Sequence, residues 1–272
     1  MRYALGAASL ARMRQLMPDK PMLAFDIDGT LAPIAAEPWR ARISDELRAG
    51  LRSLAARTPV AIVTGRAVRD ARRMLGFSPH YLVGNHGAEG LPGFEAQSSH
   101  FERVCAGWLD QLSAGGDAQG WRELPGILLE DKQYSLSFHY RHASRPALAR
   151  LMLERSVARL SPAPDIVHGK RVLNLLAPEA PHKGDALASL LGHSGCAGAI
   201  YVGDDVTDED VFRMRIPEIL SIRVGRKRRS AAGMYLKNQA DVGRLVRRLA
   251  AMLEATRPPS GDRRDTAVAM LQ

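Results

Sequence analysis

Three short apolar runs in this chain each end at a cluster of polar residues. The runs and their clusters are 22–25 with Asp26-Ile27-Asp28-Gly29-Thr30, 59–63 with Thr64-Gly65-Arg66, and 199–202 with Gly203-Asp204-Asp205-Val206-Thr207-Asp208. Apolar runs of this length are typical of fully buried strands, and helical stretches between them indicate a parallel α/β sheet. Because ligands bind at the carboxyl ends of such strands, we expect the three clusters to meet at one edge of the sheet.

That edge would gather at least four aspartates. Carboxylates so close together repel one another unless a cation lies among them, and divalent ions such as Mg²⁺ prefer oxygen ligands. Asp26 and Asp28 follow the same strand, so one could act as a nucleophile towards a phosphoryl group and the other as general acid and base. Thr64 offers a hydroxyl at a second strand end, and Lys183 begins a predicted helix whose N-terminus favours an anion.

The pattern of the sequence changes between about residues 95 and 178. From Tyr134 to Arg141 apolar and polar residues alternate, which predicts a half-buried antiparallel strand with one polar face. This region is expected to be a smaller α/β unit inserted into the parallel-sheet core. We therefore predict a catalytic core over 1–95 and 179–256 and an inserted cap over 96–178. The segment 257–272 has a disordered composition and is expected to be a flexible tail.

A net charge of +9 over 272 residues favours an anionic partner, which could be a phosphorylated metabolite, a nucleic acid or a membrane face. The run Arg226-Lys227-Arg228-Arg229 lacks neighbouring aromatic residues for base stacking, which disfavours nucleic acid. No stretch of the sequence is typical of a membrane span. Two distant cysteines, Cys105 and Cys196, indicate neither a disulfide scaffold nor a zinc site, and they favour a cytoplasmic protein.

The three polar clusters, taken together with Lys183, resemble the motifs of the haloacid dehalogenase superfamily of aspartate-nucleophile phosphatases. Further segments are similar to the trehalose-6-phosphate phosphatases within it: Gly84-Asn85-His86-Gly87-Ala88-Glu89, Glu130-Asp131-Lys132, Phe138-His139-Tyr140-Arg141, Gly169-Lys170 and Asp205-Val206-Thr207-Asp208-Glu209. The resemblance implies a Rossmann-like parallel-sheet core with an inserted α/β cap. It also implies hydrolysis of trehalose 6-phosphate to trehalose and phosphate in trehalose biosynthesis.

The same resemblance implies roles for individual residues. Asp26 would be the nucleophile, Asp28 the acid and base, and Thr64 and Lys183 would bind the phosphoryl group. Mg²⁺ would be held by Asp26, the Asp28 carbonyl and Asp204, with Asp208 nearby. In the cap, the residues that would bind the sugar hydroxyls are Glu130, Lys132, Arg141 and Lys170. The other residues expected to bind the substrate are Gly65, Arg66, His86, Glu89 and Asn174.

One position departs from the family pattern. Members usually have Glu, a hydrophobic residue and Arg-Pro after the Gly-Lys strand, whereas this chain has Asn174 and lacks the Arg. Asn hydrogen-bonds a hydroxyl without carrying charge, so another sugar phosphate, such as sucrose phosphate or mannosyl-3-phosphoglycerate, is an alternative substrate.

A second alternative is a non-catalytic partner of a sugar-synthesis complex. The complete set of Asp26, Asp28, Thr64, Lys183 and Asp204 argues against it, because fold stability does not require all five. The expected partner is therefore a small sugar phosphate. We expect the chain to be a monomer or a small homo-oligomer that binds neither nucleic acid nor membrane.

Overall fold

A computed structural model of the chain describes residues 1–35, 37, 40–114 and 121–256. These residues form a seven-stranded sheet and a separate four-stranded sheet, with helices packed against both. The parallel core with a second, smaller sheet confirms the predicted fold class. The predicted flexible tail, 257–272, lies outside the described residues.

The strands of the described residues are numbered along the chain. They are β1 (Arg2–Tyr3), β2 (Met22–Phe25), β3 (Val60–Val63), β4 (Tyr81–Val83), β5 (Leu128–Asp131), β6 (Ser135–His139), β7 (Asp165–Gly169), β8 (Val172–Leu176), β9 (Ala199–Gly203), β10 (Ile219–Val224) and β11 (Met234–Leu236). The helices are α1 (Ala7–Leu16), α2 (Asp45–Ala55), α3 (Val68–Leu75), α4 (Glu95–Ser113), α5 (Pro146–Val157), α6 (Lys183–Ser194), α7 (Glu209–Phe212) and α8 (Ala240–Ala255).

The seven-stranded sheet has the order β1-β11-β10-β9-β2-β3-β4, and its neighbouring strands pair in parallel. Every residue of β2, β3 and β9 is buried, because α1, α2, α3 and α8 cover one face of the sheet while α6 and α7 cover the other. Strand β2 lies between β3 and β9, so the polar clusters that follow these three strands emerge side by side, as the sequence predicts.

The four-stranded sheet is antiparallel, with the order β5-β6-β8-β7. Helices α4 and α5 pack on it around an apolar cluster that includes Trp108, Phe138 and Leu153. The prediction that β6 is half buried is wrong. Ser135 and Ser137 on its polar face are fully buried, and the side-chain oxygens of Asn85 and Asn174 accept hydrogen bonds from their hydroxyls, so that the burial leaves no hydroxyl unpaired.

Local signals in the sequence fix several helix ends. The Ser44 hydroxyl accepts a hydrogen bond from the Leu47 N–H at the start of α2, and Gly76 ends α3 in the left-handed conformation. The sequence interpretation missed β1, β11 and β5. The first two contain two and three residues, and β5 has exposed residues at both ends, so none carries a clear apolar pattern. Within the described residues, no helix is long and apolar enough to cross a membrane.

Candidate active site

Three buried aspartates meet at the carboxyl edge of the parallel sheet. Asp26 directly follows β2, and Asp204 and Asp208 lie on the loop after β9. Each offers a carboxylate oxygen within 4.8 Å of the oxygens of the other two. Burial of three such groups is unfavourable unless cations compensate for the charge.

Gly29 allows the loop after β2 to approach the loop after β9. Its φ of +83° lies in the left-handed region, and a Cβ at this position would occupy the space of the Asp204 carboxylate. Glycine is therefore required at position 29 for two independent reasons. The close approach brings Asp204 onto the same side of the sheet edge as Asp26.

Lys183 supplies a positive charge inside the aspartate cluster. It is the first residue of α6, and its Nζ lies 3.0 Å from Asp26 Oδ1 and 2.8 Å from Asp208 Oδ1. Burial opposes the charge of Lys183, but Asp208 and Asp26 outweigh burial and raise its pKa. Burial also raises the pKa of Asp26, and the charge of Lys183 acts against this shift. Lys183 therefore holds the Asp26 carboxylate in one position and favours its ionised form.

Asp208 differs from the other two aspartates because its oxygens are already occupied. Oδ1 accepts hydrogen bonds from Lys183 Nζ and from the Tyr201 hydroxyl, each at 2.8 Å. Oδ2 accepts from the backbone N–H groups of Asp204 at 2.7 Å and Asp205 at 2.8 Å. With four donors satisfied, Asp208 fixes the shape of its own loop.

Asp204, by contrast, has a buried oxygen that lacks a partner. Its Oδ1 makes no hydrogen bond within the described residues, and burial together with Asp208 and Asp205 raises the pKa of this carboxyl to about 7. An unpaired buried oxygen beside a second carboxylate is the donor set that a divalent, oxygen-binding cation requires. The residues present therefore fit Mg²⁺.

Asp28 lies at the rim of this cluster and is held by one arginine. Arg66 Nε and Nη2 donate to the two Asp28 oxygens at 2.7 and 2.6 Å, which is a bidentate pair. The Asp28 side chain is 40% exposed. Asp28 is thus fixed in position and still accessible from the neighbouring cavity.

Thr64, which the sequence predicted as a phosphoryl-binding residue, directly follows β3. Thr64 is fully buried, and its hydroxyl oxygen accepts the Arg66 backbone N–H at 3.3 Å. Gly65 lies under the His86 imidazole, which occupies the space that a Cβ would need. The sequence predicted Thr64, Gly65, Arg66 and His86 as parts of the site. Of these four, Gly65, Arg66 and His86 line the cavity next to Asp26.

The loop after β4 carries His86 and Glu89. Burial lowers the pKa of His86 well below its usual value, and Lys183 and Lys132 lower it further, so the ring is neutral. Glu89 points elsewhere. Its Oε2 accepts the Val68 N–H at 2.7 Å and the Asn85 side-chain amide at 2.8 Å, so it ties this loop to α3.

A cluster of three charged or titratable side chains projects from β5, β6 and the turn between them. Glu130 Oε2 lies 2.7 Å from His139 Nε2 and 3.8 Å from Lys132 Nζ. Burial opposes the charge of Glu130, but the His139 hydrogen bond and Lys132 outweigh it and lower the Glu130 pKa. Lys132 also donates to the Gly65 carbonyl at 3.2 Å and thereby joins the smaller sheet to the core.

Three further residues from the smaller unit reach the same space. Arg141 Nη1 donates to the Ala35 carbonyl at 2.8 Å, and Lys170 Nζ lies 3.8 Å from Asp204 Oδ2. The Asn174 side chain is engaged within its own sheet. Its oxygen accepts the Ser137 hydroxyl at 2.7 Å, and its amide donates to the Val167 carbonyl at 3.2 Å.

One cavity of about 940 Å³ separates the two sheets and is lined by residues of both. The predicted residues that line it are Asp26, Asp28, Gly65, Arg66, His86, Glu130, Lys132, Arg141, Lys170, Asn174, Lys183 and Asp204. In the described part of the chain, Thr64, Glu89 and Asp208 are not among the lining residues. The sequence interpretation missed His139, although the alternation of β6 had placed it on the same polar face as Arg141.

Comparisons with known proteins agree with this arrangement. The sequence model of the trehalose-phosphatase family matches residues 24–239. Trehalose-phosphate phosphatases of Mycobacterium avium (strain 104) and Mycobacterium tuberculosis (strain H37Rv) are 29% and 30% identical over 246 and 259 residues. These alignments cover 86% and 92% of this chain but only 63% and 65% of the relatives, so the chain spans less than two thirds of their length.

Solved structures show the same fold. The C-terminal domain of the Candida albicans trehalose-6-phosphate phosphatase superposes with a TM-score of 0.68 at 20% identity, covering 92% of this chain and 98% of that one. The sucrose-phosphatase of Synechocystis sp. PCC6803, in complex with sucrose and phosphate, superposes with a TM-score of 0.55 at 16% identity, covering 86% and 98%. With a family match over most of its length, the chain belongs to the trehalose-phosphatase family.

Proposed function

We propose that this chain is a Mg²⁺-dependent phosphatase that hydrolyses trehalose 6-phosphate to trehalose and phosphate through an aspartyl-phosphate on Asp26. The observation that carries the proposal is the position of Asp26. It lines the cavity, its Oδ1 lies 3.0 Å from Lys183 Nζ, and its carboxylate is close to that of Asp204, which has an unpaired oxygen. A buried carboxylate beside a cationic group and a cation site is suited to attack a phosphoryl group.

The residues that would hold Mg²⁺ are Asp26, Asp204 and the backbone carbonyl of Asp28. Bound there, the ion would neutralise the charge of the carboxylates and of the phosphoryl oxygens. Asp208 was predicted as a metal residue, but its four hydrogen bonds favour a supporting role beneath the Asp204 loop.

The chain's own residues would divide the two chemical steps. An Asp26 oxygen attacks phosphorus, the bond from phosphorus to the sugar oxygen breaks, and Asp28 gives the leaving oxygen a proton. Asp28 then takes a proton from a water molecule that attacks the aspartyl-phosphate, which releases phosphate and restores Asp26. Lys183 holds the nucleophile, and Arg66 holds the acid and base at the edge of the cavity.

The inserted unit would select the sugar. We propose that residues 96–178 act as a cap on a core formed by 1–95 and 179–256. Glu130, Lys132, Arg141 and Lys170 would hydrogen-bond the disaccharide, because they line the same cavity as Asp26 and come from the inserted unit. The cavity volume of about 940 Å³ lies within the range usual for small-molecule sites.

The test is phosphate release from a panel of substrates. Trehalose 6-phosphate, sucrose 6-phosphate, glucose 6-phosphate and mannosyl-3-phosphoglycerate are each compared with Mg²⁺ and with EDTA. We expect strong preference for trehalose 6-phosphate and loss of activity in EDTA. Preference for another member would retain the chemistry and change the substrate. No release from any of them by the folded protein would contradict a phosphatase function.

Three broader expectations from the sequence, on location, oligomeric state and nucleic-acid binding, stay predictions. Cys105 and Cys196 are both free thiols, as a cytoplasmic protein would have. Light scattering would test the expectation of a monomer or small homo-oligomer. Retention of the folded chain on DNA at physiological salt would contradict the expectation that it binds no nucleic acid.

A further inference from the structure

A buried ion pair lies directly behind the loop that carries Asp204. Arg223 on β10 is 7% exposed and Glu209 at the start of α7 is 5% exposed. Arg223 Nη1 lies 3.1 Å from Glu209 Oε1. Glu209 ends the sequence motif that follows β9, and neither residue has a place in the chemistry described above.

Arg223 hydrogen-bonds to the backbone of the loop that carries Asp204. Its Nη1 donates to the Asp205 carbonyl at 3.2 Å, and its Nη2 donates to the Asp204 carbonyl. The N–H groups of the same two residues are bound by Asp208 Oδ2 from the other side. The backbone N–H and C=O groups of Asp204 and Asp205 are therefore all hydrogen-bonded to buried charged side chains, the N–H groups to Asp208 and the carbonyls to Arg223.

Glu209 in turn fixes Arg223 to the rest of the core. While Oε1 pairs with Arg223, Oε2 accepts the Ala231 N–H at 2.9 Å, in the segment that precedes β11. A buried pair of this kind is seldom more stabilising than apolar residues of the same volume, because both charges lose their hydration. Stability alone therefore does not explain why two charges lie here.

We propose that Arg223 and Glu209 are positioning residues for the cation site, and that they set its affinity by holding the Asp204 carboxylate in place. The proposal rests on the Mg²⁺ site of the proposed function, since it is Asp204 that offers the unpaired oxygen. Groups that orient the ligands of a metal typically change its affinity by roughly 10- to 100-fold when they are removed. In the described part of the chain, neither residue lines the cavity.

Calorimetric titration of Mg²⁺ into the metal-free full chain, without substrate, tests this directly. We expect Arg223→Met to weaken Mg²⁺ binding by roughly 10- to 100-fold. Glu209→Gln keeps a hydrogen-bond acceptor without the charge, so its effect should be smaller. Arg57→Met is the control, at a more exposed ion pair. Arg57 also pairs with a glutamate, Glu254, but it precedes β3 and so lies at the opposite edge of the sheet.

Activity provides a second readout. A shift in the Mg²⁺ concentration for half-maximal activity, with kcat restored at saturating Mg²⁺, is expected for Glu209→Gln. A purely structural role would lower thermal stability and leave the Mg²⁺ affinity unchanged. Folded Arg223→Met that binds Mg²⁺ as tightly as the unchanged chain would overturn the proposal.

Two further outcomes are decisive. If Arg223→Met does not fold, Glu209→Gln decides, and unchanged Mg²⁺ affinity there overturns the proposal. Failure of the unchanged chain to bind Mg²⁺ would also overturn it. The titration needs no substrate, so a chain that binds Mg²⁺ but does not hydrolyse trehalose 6-phosphate would contradict the proposed function alone.

Discussion

The two ends of the cavity are built in different ways. At the core end Lys183, Asp26 and Asp208 are buried, exposing 2%, 6% and 0% of their side chains, and Asp28 at the rim is more open, at 40%. At the cap end the exposure of the charged side chains rises from 11% for Lys132 to 34% for Glu130 and 63% for Lys170. Lys183 is ion-paired with both Asp26 and Asp208 inside the core, whereas the exposed Lys170 approaches Asp204 only at 3.8 Å.

Under the proposed function, this difference would separate the chemical step from the selection of the sugar. Attack on phosphorus needs reacting atoms held within a fraction of an ångström, which buried and fully paired side chains provide. Recognition of sugar hydroxyls needs hydrogen-bonding groups that exchange water for ligand, which partly exposed side chains provide. Changes at the core end should therefore affect every phosphate ester, and changes at the cap end should affect only the disaccharide.

The largest effect is expected for Asp26→Asn. Asn has nearly the same shape as Asp, but its neutral amide oxygen cannot replace the carboxylate as a nucleophile. Hydrolysis of trehalose 6-phosphate and of p-nitrophenyl phosphate should therefore both fall by roughly 10⁴-fold or more. Steady-state phosphate release measures the loss, and circular dichroism with thermal unfolding shows that the variant is folded. If Asp26→Asn is nearly as active as the unchanged chain, Asp26 is not the nucleophile. The proposed difference between the two ends of the cavity would then be wrong.

The sequence predicted the core end better than the cap end, for a physical reason. Parallel strands place the residues that follow them at one edge, so Asp26 and Asp204 could be brought together from the strand pattern alone. Two other pairs, Asp28 with Arg66 and Arg223 with Glu209, depend on the directions of their side chains. The paired residues are 38 and 14 positions apart in the sequence. A periodic pattern carries no information on these directions.

The cap end was harder to predict because its environment comes from distant parts of the chain. The alternation in β6 indicated a strand, but it could not show that Asn85 and Asn174 cover its polar face. On the core side, family resemblance named Glu89 as a substrate residue, but it could not show that Glu89 Oε2 accepts hydrogen bonds from Val68 and Asn85. A motif gives residue types and spacing, and the direction of each side chain must come from packing.

A change at the cap end should sharpen the contrast. Lys132→Met removes the ammonium that lies between Glu130 and the Gly65 carbonyl. We expect kcat/KM for trehalose 6-phosphate to fall by roughly 10- to 100-fold, as for the loss of a charged hydrogen bond. Hydrolysis of p-nitrophenyl phosphate, which has no sugar, should stay within about 3-fold of the unchanged chain on the same reasoning.

Lys237→Met is the matched control for that experiment, because Lys237 packs over the Tyr3 ring and does not line the cavity. It should leave both activities unchanged. An equal loss with both substrates in Lys132→Met would place Lys132 with the catalytic residues. The division of the cavity into a chemical end and a selective end would then be wrong.

The core end should also respond to pH through Asp204. Its pKa of about 7 in the folded chain lies above the value of 3.8 for a free Asp side chain. Because this pKa is raised, the folded chain binds a proton at Asp204 more tightly than the unfolded chain does. Protonation of Asp204 therefore stabilises the fold fully below about pH 4, and this stabilisation is lost as pH rises through 7. Mg²⁺ must displace this proton, so its affinity should fall roughly tenfold per pH unit below 7.

Calorimetry of Mg²⁺ binding at pH 6, 7 and 8 measures this dependence, and thermal unfolding of the metal-free chain over pH 4 to 8 measures the stability change. Asp204→Asn should abolish measurable Mg²⁺ binding and flatten the stability profile above pH 4. Mg²⁺ affinity that does not vary between pH 6 and 8 would show that Asp204 is already ionised in the metal-free chain. The cation would then not be needed to stabilise its charge.

The smallest effect is expected at Asn174, the position that departs from the family pattern. Its oxygen and its amide are both used within the cap, by Ser137 and Val167. Asn174→Asp would set a carboxylate oxygen against the Val167 carbonyl. We expect a loss of about 1–3 kcal/mol in unfolding free energy, or a melting temperature lower by roughly 3–10 °C. Because the side chain is already occupied, kcat/KM for trehalose 6-phosphate should stay within about 3-fold.

Acidic pH distinguishes this explanation from a direct contact with the sugar. Once protonated, the carboxyl group introduced by Asn174→Asp can again donate to the Val167 carbonyl, so the deficit in stability should shrink as pH falls towards 4. Asn238→Asp, at an exposed asparagine, is the matched control and should keep its stability. If Asn174→Asp instead raises KM with an unchanged melting temperature, Asn174 contacts substrate. The neutral amide would then be the group that adapts the cap to its sugar.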